Sequence, residues 1–197
     1  MEGFPKGAVW PAEGDDSIQI REVYSRYGLA MYQAQVLEHG MVNAVIIARM
    51  LPTMRSHPDR SAWEDAFDQA YDLELAKTFG NMLRALEPLD LSAMLLERLR
   101  TAKTERDRLA HRFFREHDEH FLSQRGRTLM IGECEDAIVL FSRIDADLEE
   151  HMRPQRERFG ITNEWIERHL AASLTATANS ILAQRGQGHD FGTHNGG

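Results

Sequence analysis

One stretch carries the residue types that could do chemistry: Thr101 to Phe114, reading Thr-Ala-Lys-Thr-Glu-Arg-Asp-Arg-Leu-Ala-His-Arg-Phe-Phe. Leu95, Leu99, Ala102, Leu109 and Phe113 recur at helical steps and form one apolar line, with Arg106 in the slot between Ala102 and Leu109. A guanidinium on such a line is costly unless something pairs with it. Asp107 and His111 stand at i and i+4, a spacing that lets the carboxylate reach the imidazole and hold its tautomer. An arginine fork holds a phosphate bidentately, and a histidine that titrates near neutrality moves a proton on or off a hydroxyl. Together they would cleave RNA without a metal.

Spacing alone does not single out the pair. Arg-x4-His occurs at Arg106/His111, Arg112/His117 and Arg115/His120, in a chain with 20 Arg and 9 His. The first differs in context: a small polar residue follows the Arg, Leu109-Ala110 precedes the His, and an aromatic pair follows it.

Arg106-Asp107-Arg108-Leu109-Ala110-His111 resembles the Arg-polar-x-x-x-His signature of the HEPN superfamily, the higher eukaryotes and prokaryotes nucleotide-binding domain. The likeness covers six residues of motif, within a long-helix context from about 17 to 150. It implies an all-helical fold, metal-independent ribonuclease activity of the toxin or antiphage kind, and a homodimer that brings two motifs into one cleft. Residue by residue it assigns catalysis to Arg106 and His111, with Asp107 at the polar position. It also implies a restraining partner, an antitoxin or a nucleotidyltransferase. Residues five apart on an ideal helix point about 140° from each other, which suits a site shared across a dimer.

Other readings attach to the same residues. Arg106 could snorkel to Glu105 or Asp107, and His111 could be an exposed histidine on a helix that only packs. Residues 98–115 carry seven Lys and Arg against two acids, a local excess of five positive charges in a chain of net charge −8. That excess makes Arg108, Arg112 and Arg115 candidate RNA contacts with a small footprint. Alternatively it answers the acidic residues Glu64, Asp65, Asp68, Asp72 and Glu74 of the preceding helix. The rival function is a non-catalytic binding or immunity module working through protein contacts.

His117 and His120, among Glu116, Asp118 and Glu119, raise a metal site. The chain has no Glu-x-x-His pair of the di-iron kind, and no metal or other cofactor is expected. Gly-rich phosphate loops, a Gly-x-Ser-x-Gly elbow and Cys-x-x-Cys are also absent from the sequence. The single cysteine, Cys134, falls on an apolar helical line and reads as a buried small hydrophobe. With no apolar run long enough to span a bilayer and no signal-peptide layout, the expectation is a cytoplasmic protein without membrane contact.

The elements that must position these residues are helices. The Gly- and Pro-rich residues 1–16 read as a flexible arm. Ser17 or Asp16 would cap a helix to about Leu51, with Val23, Tyr27, Ala30/Met31, Ala34, Leu37, Met41, Val45 and Ala48 inward and Pro52 ending it. Gly28 and Gly40 within it suggest a close neighbouring backbone. A second helix runs from Ser61 to Leu86, and the motif helix from Leu91 to Leu122. After Arg125-Gly126-Arg127, a fourth spans Thr128 to Arg153, ended by Pro154. Thr162 caps a fifth, with Trp165/Ile166, Leu170, Leu174, Thr177 and Ile181 on one side. The predicted fold is all-α: an antiparallel bundle of four long helices plus a C-terminal helix, one domain over 17–185, with a disordered tail over 186–197. A hydrophobic content of 42% supports a packed core.

Overall fold

A computed structural model describes residues 14–187, with side-chain surroundings as far as Ser180. The described residues are helical throughout, joined by turns, with no strand among them. The described residues form two compact units, divided between Met152 and Arg153. Of the expected arm over 1–16, residues 1–13 lie outside the described residues while Asp15 and Asp16 open the first helix; of the expected tail over 186–197, Gly186 and Gln187 continue the last helix and 188–197 lie outside the described residues.

The first unit is organised by α1, Asp15–Arg49, whose predicted inward line is buried at Val23, Ala30, Ala34, Leu37, Met41 and Val45 and half-buried at Tyr27, Met31 and Ala48. Its cap is Gly14, and Asp16 and Ser17 lie inside the first turn. A 3-10 turn, Leu51–Ser56, carries Pro52 and ends it. The single second helix expected from Ser61 to Leu86 is two: α2, Arg60–Leu75, and α3, Phe79–Leu86. Asp59, rather than Ser61, caps α2, and Thr78 caps α3 by accepting from the Asn81 amide. The break re-aims the chain, so that Phe79, Met82, Leu83 and Leu86 are all buried, whereas α2 leaves Leu73 and Leu75 exposed.

The predicted Leu91–Leu122 helix also divides. It becomes α4, Ala93–His111, capped by Ser92; a one-turn α5, Phe113–Glu116; and a 3-10 turn, His120–Leu122. Arg112, at φ −132° and ψ −23°, is the hinge. The cause is aromatic packing: the break lets Phe113 stack on Tyr27 at 5.5 Å while Phe114 meets Tyr27 at 4.9 Å and Tyr24 at 5.6 Å. His111 is therefore the last residue of α4.

α6, Gln124–Glu157, begins earlier than expected and continues through Pro154, giving up one backbone bond there. Gly126, in its first turn, is required by contact: a Cβ there would collide with the His120 carbonyl. Gly40 leaves room in the same way for the Asp145 carboxylate, while a Cβ on Gly28 would meet open space, so the expected close neighbour exists only at Gly40 and is a side chain.

Side-chain pairs fix the helix directions. Gln19 bonds Thr128, Arg26 faces Glu135 and Ser142 bonds Gln33, so α1 and α6 run parallel. Tyr27 bonds the Leu109 carbonyl while Arg106 meets Glu38, and Arg98 and Arg108 meet Asp147 and Glu133. α4 is thus antiparallel to both, with Leu99, Ala102, Leu109, Phe113, Cys134, Phe141, Ile144 and Leu148 in one core.

In the second unit, Arg156 donates to the Ile161 carbonyl and the Asn163 side chain, closing the turn before α7, Asn163–Gln187. Thr162 caps α7 as expected. Its expected inward side chains, Trp165, Ile166, Leu170, Leu174 and Thr177, are exposed, and Ile181 lies beyond the described side chains.

Candidate functional site

α4 presents two arginine networks, one toward α1 and one toward α6. On the α1 side, Arg106 donates from Nε to Glu38 Oε1 at 2.9 Å and from Nη1 to Asp107 Oδ1 at 3.2 Å. The guanidinium on the apolar line is thus paired, by Glu38 from the middle of α1. Lys103 Nζ holds the other Asp107 oxygen at 2.6 Å. This hydrogen bond is the main reason the Asp107 carboxyl lies below its ordinary range; partial burial opposes it and Arg106 reinforces it.

That arrangement corrects one expectation. Asp107 is occupied by Lys103 and Arg106 and makes no hydrogen bond to His111. His111 is exposed, at the end of α4, with no hydrogen bond or ion pair among the described residues. Its tautomer is unconstrained by protein contacts. Arg106 and His111 are not brought together by any contact within the chain.

On the α6 side, Arg108 chelates Glu105 through Nη2 at 2.9 Å and Nε at 3.0 Å, and reaches Glu116 and Glu133, each at 3.1 Å. The Glu105 bonds lead in pushing its already high pKa further up. The guanidinium also lies 5.6 Å from the centroid of the Phe113 ring. Arg112 faces Glu116 at 3.5 Å, while Arg115 is exposed and makes no ion pair among the described residues. Of the three candidate RNA contacts, Arg108 is consumed internally, Arg112 is half-engaged and Arg115 is free.

The local basic excess is largely neutralised, though not by the acidic second helix. Arg98 pairs with Asp147, Arg100 with Glu97, and Arg108 with Glu105, Glu116 and Glu133. In α2, Glu74 answers Arg49 and Lys77 instead.

His117 and His120, weighed from the sequence only as metal ligands, lie next to Arg108 in a different arrangement. His117 is buried, with Nε2 3.0 Å from Glu133 Oε2 and Nδ1 3.0 Å from His120 Nδ1. Its ring packs edge-on to Phe113 at 4.9 Å. The available signal was the repeat of Arg-x4-His at 112/117 and 115/120, set aside in favour of the first copy. No group of three or more His, Cys, Asp or Glu poised to hold a metal occurs among the described residues. Cys134 is buried, its thiol pushed up to about 12 by burial and then by the charge of Glu133, as befits a core residue. No described helix is long and apolar enough to cross a membrane.

No family model matches this chain, and neither a curated protein nor a solved structure matches it.

Proposed function

We propose that the protein is a HEPN-like, metal-independent endoribonuclease in which Arg106 neutralises charge on the scissile phosphate and His111 exchanges the proton of the ribose 2′-hydroxyl. The observation that carries this reading is the state of the two side chains. Arg106 is held by Glu38 and Asp107 through Nε and Nη1, which leaves Nη2 without a protein partner among the described residues. His111 stands exposed and unengaged one turn on. Attack by the 2′-oxygen would leave a cyclic phosphate and a 5′-hydroxyl, so DNA is not a substrate. Asp107 positions Arg106 rather than His111. The reading brings a homodimer with it, because one helix orients the two residues apart. It also brings a bundle in which α2 and α3 together take the place of the second long helix, a cytoplasmic setting, and restraint by an antitoxin or nucleotidyltransferase partner. Purified protein should cut RNA in EDTA, and Arg106→Ala or His111→Ala should lower the rate by about two to four orders of magnitude. Folded variants that cut at the parental rate would end this mechanism.

A second reading, the non-catalytic binding or immunity module, is favoured by the ion pairs that spend Arg98, Arg100, Lys103 and Arg108 inside the chain. A surface neutralised in this way suits protein contacts better than a polyanion. The discriminating measurement is RNA affinity against salt. A steep loss with salt supports phosphate contacts, and binding absent at low salt supports the module.

A further inference from the structure

The His117 cluster fixes where its hydrogens go. A carboxylate only accepts, so Glu133 Oε2, at 3.0 Å, must receive a hydrogen from Nε2 of His117. In the neutral ring this leaves Nδ1 of His117 bare. The partner of that atom, 3.0 Å away, is Nδ1 of His120, which must then donate. Nε2 of His120 is left with a lone pair, on a residue that is exposed. One chain of hydrogen bonds thus runs from a carboxylate through a buried imidazole to an outward-facing base.

The surroundings hold this geometry rigid. Arg108 from α4 shares Glu133 Oε2 at 3.1 Å and is itself tied to Glu105 and to Glu116 of α5. Phe113 flanks the His117 ring. The turn is stitched by the Phe121 amide to the His117 carbonyl at 2.9 Å and the Ser123 amide to the His120 carbonyl at 3.1 Å. Gly126 lets the first turn of α6 sit directly on that carbonyl.

We propose that Glu133, His117 and His120 form a proton relay whose working atom is Nε2 of His120, a base for a hydroxyl beside a phosphate. The substrate class rests on the ribonuclease reading; the relay rests on the geometry alone. Arg115, exposed and unpaired, precedes His120 by the same five positions that separate Arg106 from His111, and offers the phosphate a cation. In the step envisaged, at a second and slower centre separate from that of Arg106 and His111, a 2′-hydroxyl gives its proton to His120 and its oxygen bonds to phosphorus as the bond to the 5′-oxygen breaks. The departing oxygen takes a proton from water, and His120 later returns its own to solvent. The imidazolium is stabilised through His117 by Glu133, which orients and stays unprotonated, as the carboxylate of a serine-protease triad does.

Long-range proton–nitrogen NMR of the full-length protein, with both rings neutral, tests the relay directly. His117 should be the Nε2–H tautomer and His120 the Nδ1–H tautomer. A His120 carrying its hydrogen on Nε2 would overturn the proposal. In the residual RNA cleavage of His111→Ala protein with EDTA present, adding His120→Gln should cost about a further hundredfold. His117→Gln should lose less, while releasing His120 to the Nε2–H tautomer, a change that mere loosening of the fold would not produce. Folded protein carrying both His111→Ala and His120→Gln that cuts as fast as His111→Ala alone overturns the catalytic role. A parent that cuts no RNA removes the ribonuclease reading and RNA as the substrate here, and the tautomers then decide alone whether the relay exists.

Discussion

The two sides of α4 use the same residue type in opposite ways. Toward α1, Arg106 has two bonds, to Glu38 and Asp107, and keeps a free end. Toward α6, Arg108 is surrounded by Glu105, Glu116 and Glu133 and sits over Phe113. The first is a paired cation with capacity left over, and the second is a structural rivet. Two residues apart on one helix, they show that the sign of a charge run says little about its job. What decides is how many carboxylates the neighbouring helices aim at each member.

The comparison breaks most completely at Phe113, which is 1% exposed and touches both sides, stacking on Tyr27 toward α1 and flanking His117 toward α6. Phe113→Ala should cost about 3–5 kcal/mol, the usual loss for emptying an aromatic site in a core. Chemical denaturation would show it, and a loss under ~1 kcal/mol would mean that the α4–α5 hinge closes over the void. Gly126→Ala strikes only the His120 turn. Its methyl group would meet the His120 carbonyl, and the expected loss is about 1–3 kcal/mol. The His117 and His120 resonances should move while those of Tyr27 and Glu38 stay in place.

A matched pair of substitutions measures the difference between the two networks. Glu133→Gln takes the charge from a carboxylate shared by Arg108 and His117 and should cost about 1.5–3 kcal/mol, in the range of bonds to charged groups. Glu38→Gln takes one of two partners from Arg106 and should cost under ~1 kcal/mol. Equal losses from thermal melts would refute the contrast between rivet and spare cation.

Much of this was legible in the sequence. The apolar period of α1 and of α6, and the slot that placed Arg106 beside the core, came through because burial enforces a 3.6-residue repeat over many turns. The breaks did not. Thr78 is an ordinary helix cap, but the apolar residues on either side of it stay in period, so α2 and α3 read as one. The hinge at Arg112 carries no Gly or Pro, because its cause is the packing of Phe113 and Phe114 on tyrosines some 80 to 90 positions earlier. The site was legible only in residue type. Arg106 stood out, its partner Glu38 did not, and the expected Asp107–His111 contact failed because Lys103, also four residues away but on the other side, reaches Asp107 instead. His117 could be weighed only as a metal ligand, since nothing local announces that Glu133 sits opposite it.

The smallest effect contrasts a paired carboxylate with an unpaired one. Asp107, held by Lys103 and Arg106, lies below its ordinary range, whereas Asp145, half-buried in a 150 Å³ recess with Gly40 and Asn43, is raised by burial and then by Glu149. The signs follow from proton linkage. Below its unfolded value, Asp107 binds fewer protons folded than unfolded, so its contribution is full above the ordinary carboxylate range and is lost as pH falls through the lower folded value. Asp145 does the reverse: ionised at neutral pH it opposes folding, and the penalty lifts as pH falls through its raised value, ahead of the ordinary carboxylates. Asp145→Asn should therefore raise the melting temperature at neutral pH, with a gain that shrinks as the buffer is made mildly acid. Asp107→Asn should lower it at neutral pH by a small amount, because the pair is more than a third exposed and screened. That loss should persist through the mildly acid range and fade only below it. Melts of both variants against the parent across that range give two curves of opposite slope. Parallel curves would mean that Asp145 finds a cation in solution and that its burial is not what sets its titration.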